Sequence, residues 1–130
     1  MNTLSERKII STPHAPKAIG PYAQAVQYGD LLFVSGVIPI DPQTGELLTG
    51  NFEAEVTLVL ENLKAIVEAS GMTLKNVLKS TVFIKDLEKF ATFNDIYGKY
   101  FGEILPARET VQAARLPKDA SIEISVICGK

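Results

Sequence analysis

Two side chains in this sequence combine a charge with an apolar setting: Arg108 and Glu123. Arg108 opens the strand-like run ARETVQAAR after Pro106–Ala107, where period-two alternation puts it on one face with Thr110, Gln112 and Ala114, and Arg115 on the other. A guanidinium there serves either as a surface partner in a salt bridge or as a planar fork binding a carboxylate through two parallel hydrogen bonds. Glu123 alternates with Ile122 and Ile124 and shares a face with Ser121 and Ser125. On a solvated face such a carboxylate is inert, whereas in an interface it loses hydration and its pKa climbs toward that of a useful general base. Asn94 interrupts an aromatic helical seam and serves either a local hydrogen bond or a ligand.

The other chemical groups are sparse. Tyr22 and Ser35 carry hydroxyls able to donate, though each is also an ordinary strand residue. His14 sits in a proline-flanked loop and Cys128 lies near the end of a core-like strand, so neither Ser-His-Asp nor Cys-His catalysis is expected. One histidine and one cysteine fall short of the three or four clustered ligands of a zinc site, so no metal is expected. The glycines form no phosphate-binding fingerprint, and no nucleotide or other cofactor is expected.

These residues need a scaffold, and the chain supplies one in the order βββαβαββ. A short strand is expected around Arg7 to Ser11, then a Pro/Gly loop from His14 to Pro21. Strands over Tyr22–Tyr28 and Leu31–Val37 join through Gly29–Asp30, a pair suited to a II′ hairpin turn. Asp41-Pro-Gln-Thr-Gly45 is a second turn. The first helix follows Asn51 as cap, with Glu53 and Glu55 in its first turn, a stripe of Val56, Val59, Leu60, Leu63, Ile66 and Val67, and Gly71 beyond its end. A strand over Val77–Lys85 leads to a second helix capped by Asp86, with a seam of Phe90, Asn94, Tyr97 and Phe101, ended by Gly102 and Pro106. The final strands, Ala107–Arg115 and Ser121–Cys128, flank a Leu-Pro-Lys-Asp-Ala loop that reads as a hairpin connection. The fold class is therefore α+β, one domain over residues 1–130 with a mixed sheet and two helices on one face.

That arrangement leaves a sheet face uncovered. LLFVSGV, LKSTVFI and IEISVIC place apolar groups on both sides, and a monomer exposing such a face is uncommon, so a closed homo-oligomer is expected. The net charge of −2 gives no electrostatic grip on a phosphate backbone, so nucleic acid is not an expected partner. The longest apolar stretch, Leu31 to Ile40, is broken by Ser35, Gly36 and Pro39 and cannot span a bilayer. MNTLSERKII lacks the apolar core of a signal peptide. With a single cysteine this suggests a cytoplasmic protein.

Five ordered blocks, AIGPYAQAV (Ala18–Val26), FVSGVIP (Phe33–Pro39), VFIKDLEKFATFN (Val82–Asn94), PARETV (Pro106–Val111) and ARLPKDASIEI (Ala114–Ile124), resemble the reactive intermediate deaminase (Rid, YjgF-like) family and span nearly the whole chain. The resemblance implies a chorismate-mutase-like fold assembled as a homotrimer with sites at the subunit clefts. It implies that Arg108 holds the substrate carboxylate and Glu123 positions the attacking water, the pair that marks the imine deaminase (RidA) subgroup. Tyr22, Ser35, Gly36 and Asn94 match cleft-lining residues, as does Thr110, which stands where many members have cysteine. Glu55 stands where relatives often have glutamine.

The activity so implied is hydrolysis of 2-imino acids such as 2-iminobutanoate and 2-iminopropanoate to 2-keto acids and ammonia, downstream of pyridoxal-phosphate enzymes that release enamines. If the last two strands pair as a hairpin about Lys118, Glu123 falls opposite Gln112 or Ala113, roughly 14 to 17 Å from Arg108 at about 3.4 Å per residue. That is too far to share a small substrate, so each cleft is expected to take Arg108 from one subunit and Glu123 from its neighbour. The alternatives are an endoribonuclease and a 2-keto acid binding or chaperone-like module without turnover. Chorismate mutase activity has only the fold in its favour.

Overall fold

The computed structural model describes residues 6–130; part of the stretch read for a leader, Met1–Ser5, lies outside the described residues. The elements run β1 (Arg7–Ile10), β2 (Ala25–Tyr28), β3 (Leu31–Val37), α1 (Phe52–Ala69), β4 (Val77–Ile84), α2 (Phe90–Phe101), β5 (Ala107–Gln112) and β6 (Ile122–Gly129). Short 3-10 turns precede β4, α2 and β6. The strands form one mixed sheet in the order β1-β2-β3-β6-β4-β5, antiparallel except where β5 runs parallel to β4.

Local chemistry explains most of these elements. Gly29 takes a positive φ of 60° in the turn joining β2 to β3, with Tyr28 paired to Leu31, and Asp30 does not, as a II′ turn requires. Asn51 caps α1 by accepting from the Ala54 N–H at 3.1 Å. Glu55 adds a second tie, accepting from the Asn51 N–H at 2.7 Å and from the Ser121 hydroxyl at 2.5 Å. The expected α1 stripe is buried throughout: Val56, Val59, Leu60, Leu63, Ile66 and Val67. Beyond the helix, Gly71 takes φ 90° and donates to Glu68 O, closing its last turn.

Val82 and Ile84 of β4 and Ile122, Ile124 and Val126 of β6 pair across the sheet and meet the helices in one core. Cys128 belongs to that core, and burial pushes its thiol pKa up to about 11, leaving it an inert hydrophobe. On the opposite face Ile9, Tyr28 and Phe33 remain 60%, 50% and 43% exposed. The two-sided apolar character of the strands is therefore present, with helices covering one side. No helix among the described residues is long and apolar enough to cross a membrane.

Five expectations are corrected. β5 and β6 are not a hairpin, because β4 lies between them; the connecting residues carry the chain past β4, and period-two alternation reports faces rather than neighbours. Tyr22–Gln24 precede β2 rather than opening it, since Gln24 spends its amide on the preceding loop. Asp86 caps a 3-10 turn ahead of α2, and the buried face of α2 is Phe93, Ile96, Tyr97 and Phe101. The helix is thus rotated so that Phe90 and Asn94 lie at the edge of the seam. Ser121 does not share the face of Glu123, its hydroxyl being turned to Glu55.

Candidate active site

Glu123 stands directly opposite Phe83 on β4, while its neighbours Ile122 and Ile124 pair with Ile84 and Val82 in the core. The alternation places Glu123 on the sheet face away from the helices. Beside it, β3 bulges: Val34 pairs with Val126 and Val37 with Ile124, so that Ser35 and Gly36 together oppose Ser125. The bulge brings the Gly36 backbone against the carboxylate. A Cβ on Gly36 would sit 1.9 Å from Glu123 Oε2 and 2.7 Å from Cδ, so the position of this carboxylate depends on residue 36 having no side chain.

Glu123 forms no ion pair with another described residue, and burial raises its carboxyl pKa above the usual range. It lines a hollow of about 350 Å³ with Ile19, Tyr22, Ser35, Gly36, Val37, Ile38 and Pro117. Gln24 is a further polar wall group, one that the sequence did not single out. Its Oε1 accepts from the Thr12 N–H at 2.7 Å, and Nε2 donates to the carbonyls of Pro16 at 2.7 Å, Thr12 at 3.2 Å and Ala15 at 3.3 Å. The Pro/Gly loop has no ladder of its own, so this buried amide is what moors it to β2. A lone buried-type glutamine between Ala23 and Ala25 was the available signal. The Ser35 hydroxyl donates to Ala23 O at 2.6 Å, leaving it only a lone pair to offer, and Tyr22 Oη accepts from the Ile19 N–H at 3.3 Å.

Arg108 lies elsewhere. It pairs with Ser80 across the parallel β4–β5 ladder, and Ser80 is fully buried on the helix side, where Tyr97 of α2 reaches it. The Arg108 guanidinium carbon is 4.8 Å from the Tyr97 ring centroid, 5.4 Å from Phe93 and 5.6 Å from Phe90. Among the described residues no carboxylate forms an ion pair with it. The surface salt-bridge reading is therefore not what the fold shows; the cation is held by ring faces instead. Thr110, opposite Val82 on the same face, has a buried Oγ1 with no hydrogen-bond partner among the described residues. Asn94 lies half-buried on α2, one turn beyond Phe90.

The candidate residues thus form two groups. Tyr22, Ser35, Gly36 and Glu123 share the hollow; Arg108 and Thr110 share the helix-side face of β5 near the α2 rings. Within one chain the cation and the carboxylate lie on opposite faces of the sheet with β4 between their strands. Among the described residues no group of three or more His, Cys, Asp or Glu side chains is placed to hold a metal ion.

Comparison with known proteins fits this architecture. The family model described as Endoribonuclease L-PSP matches residues 12–129. A RutC family protein of Pyrococcus horikoshii is 51% identical over 124 residues, covering 95% of this chain and 98% of that protein. A protein of Escherichia coli K12 named "Putative reactive intermediate deaminase TdcF" is 49% identical over 124 residues, covering 93% of this chain and 95% of its own length. The crystal structure of Escherichia coli TdcF with bound serine superposes with a TM-score of 0.90 at 48% identity, covering 95% of this chain and 98% of that one. A Thermotoga maritima structure described as "a putative endoribonuclease" superposes with a TM-score of 0.93 at 52% identity, covering 95% of this chain and 97% of that one. With its sheet order, its helices and nearly its whole length matched, the chain belongs to the reactive intermediate deaminase (Rid, YjgF-like) family, whose family model carries the endoribonuclease L-PSP description.

Proposed function

We propose that the protein hydrolyses 2-imino acids, with 2-iminobutanoate and 2-iminopropanoate as the small members of the class, in clefts where Arg108 of one protomer faces Glu123 of the next. The observation that carries this reading is the pair of uncompensated charges: a guanidinium held by ring faces alone and a desolvated carboxylate over Gly36, placed back to back in each chain. The exposed apolar face that includes Ile9, Tyr28 and Phe33 supports a closed homotrimer that brings them together.

In that cleft the substrate carboxylate takes two parallel hydrogen bonds from Arg108, which orients the adjacent C=N carbon. Glu123 accepts a proton from water as the oxygen bonds to that carbon and the C=N π pair moves to nitrogen. Glu123 then returns the proton to nitrogen. It next carries the hydroxyl proton of the carbinolamine to the same nitrogen, so that the C–N bond breaks with release of ammonia as the carbonyl forms, giving the 2-keto acid. Neither redox change nor a covalent enzyme intermediate is needed. Glu123 with a raised pKa is the better base for this work than an ordinary exposed carboxylate. Tyr22, Ser35 and Asn94 line the cleft, with Thr110 beside the carboxylate.

The test couples a threonine dehydratase or an amino acid oxidase to the protein and follows imine decay. Arg108→Ala and Glu123→Ala subunits are each expected to be inactive as homo-oligomers. Co-assembled, they should recover activity, because one cleft type in a mixed ring regains both side chains. No recovery in verified mixed trimers would refute the shared cleft, and unchanged decay with Arg108→Ala would refute the deaminase reading.

A further inference from the structure

Among the described residues Arg108 has no acidic partner, and the orientation of so long a cation has to come from somewhere. Phe90, Phe93 and Tyr97 lie along one stripe of α2, spaced i, i+3 and i+7. Their ring faces attract the guanidinium without using its N–H groups, so both edges of the fork stay available. A carboxylate in their place would hold the arginine as well but would occupy the donors.

Tyr97 differs from the two phenylalanines. Its ring is the one nearest the guanidinium, at 4.8 Å, and its hydroxyl donates to Ser80 Oγ at 2.9 Å. Ser80 is fully buried and sits directly across the β4–β5 ladder from Arg108. The ring is packed between Phe93 and Phe101, with centroids at 5.3 Å and 4.7 Å. Packing between the two rings sets how its face is turned, and the bond to Ser80 anchors the outer end of the ring on β4. We infer that Tyr97, tethered through Ser80, is a positioning residue for the carboxylate-binding fork of Arg108. Ser80 reaches the substrate only through Tyr97, and Tyr97 only through Arg108. This rests on the reading of Arg108 given under Proposed function.

Three variants test it: Tyr97→Leu, which removes the ring face, and Tyr97→Phe and Ser80→Ala, which keep the ring and cut the tether. Loss of a group acting through Arg108 should weaken the ground state and the transition state alike. Tyr97→Leu should therefore raise KM for the imino acid, and Ki for the corresponding 2-keto acid, by about tenfold with kcat within about threefold. Tyr97→Phe and Ser80→Ala should each raise them about threefold, and the acid limb of the pH profile, set by Glu123, should not move. Because Arg108→Ala is expected to be inactive, that background is read by calorimetry as Kd of the 2-keto acid, where Tyr97→Leu should add less than about twofold, the mark of two residues acting as a unit.

Because Tyr97 is buried and its leucine variant need not fold, the Arg108 Nε–Hε NMR signal in Ser80→Ala supplies an independent readout. Ring faces should shift that signal in the wild-type protein, and the displacement should shrink once the tether is cut. An unchanged signal and unchanged KM in both tether variants would overturn the inference, as would full additivity with Arg108→Ala. If Arg108→Ala leaves activity and the Kd of the 2-keto acid unchanged, the assignment of Arg108 fails first; if it weakens that Kd while the Tyr97 and Ser80 variants do not, only the positioning role fails.

Discussion

Gly36→Ala tests how tightly activity depends on the placement of Glu123. The added Cβ would stand 1.9 Å from Oε2, 2.7 Å from Cδ and 3.0 Å from Cγ. Ordinary contacts to carbon lie at about 3.5 Å, so the oxygen must retreat by roughly 1.5 Å. Because side chains move between staggered wells, the carboxylate turns into another rotamer rather than sliding. What the methyl meets is the far end of a flexible side chain, and Gly36 does not have a positive φ, so the fold should accept alanine. Loss of glycine's freedom in the unfolded chain even favours the variant by about 0.4–1 kcal/mol. A displacement of about 1 Å at a reacting group costs on the order of 100-fold.

The expected result is a kcat/KM for imine hydrolysis reduced about 100-fold, carried by kcat, with thermal stability kept and KM little changed because the carboxylate grip is elsewhere. The assay is coupled imine decay alongside a melting curve. Combining Gly36→Ala with Glu123→Ala should lower activity no further than Glu123→Ala alone. A folded Gly36→Ala protein with activity within a few-fold of wild type would refute the argument that this bulge places the catalytic carboxylate.

Two further predictions concern buried polar atoms. Burial raises the Glu123 pKa, so its folded value exceeds its unfolded one and ionisation disfavours folding: nothing is lost below the unfolded pKa, and the full penalty applies above the folded pKa. Glu123→Gln should therefore raise Tm near neutral pH, with the gain fading as pH falls through and below the ordinary carboxylate range; an equal gain at all pH values would contradict this. The wild-type acid limb of kcat/KM should correspondingly lie above the ordinary glutamate value. Thr110→Val replaces a buried hydroxyl with no partner among the described residues by a methyl of similar size. An unsatisfied buried hydroxyl costs about 1–3 kcal/mol, so Tm should rise while KM also rises, separating a ligand contact from a structural one. A fall in Tm would mean that a neighbouring protomer already satisfies that hydroxyl.

Much of the fold was legible in the sequence where local chemistry dictates it. The α1 stripe, its Asn51 cap and the Gly29 turn follow from periodicity and φ preference, and each is found as expected. What the sequence did not reveal was adjacency. Alternation in the last two strands gives their faces, yet the insertion of β4 between them is a long-range choice without a local signature. The aromatic spacing in α2 was visible, but the register of that helix against the sheet decides that Phe93 is buried while Phe90 stays at the edge near Arg108. The Gly36 contact and the Gln24 mooring likewise depend on groups brought together from separate segments.

The correction to the strand order changes the reason for a shared cleft without removing it. The hairpin register put Arg108 and Glu123 too far apart along one face; the observed order puts them on opposite faces, which no side-chain rotation can bridge. This has an electrostatic consequence for the proposed reaction. An arginine beside Glu123 in the same chain would pull its carboxyl pKa down and fill the fork that is to bind substrate. Within one chain, with β4 between their strands, the two groups do not meet: the guanidinium lies on aromatic faces and the carboxylate lines a largely apolar hollow. On this reading the substrate is what joins them: its carboxylate satisfies the cation of one protomer and presents the imine carbon to the base of the next. Binding energy and basicity are then supplied by different chains.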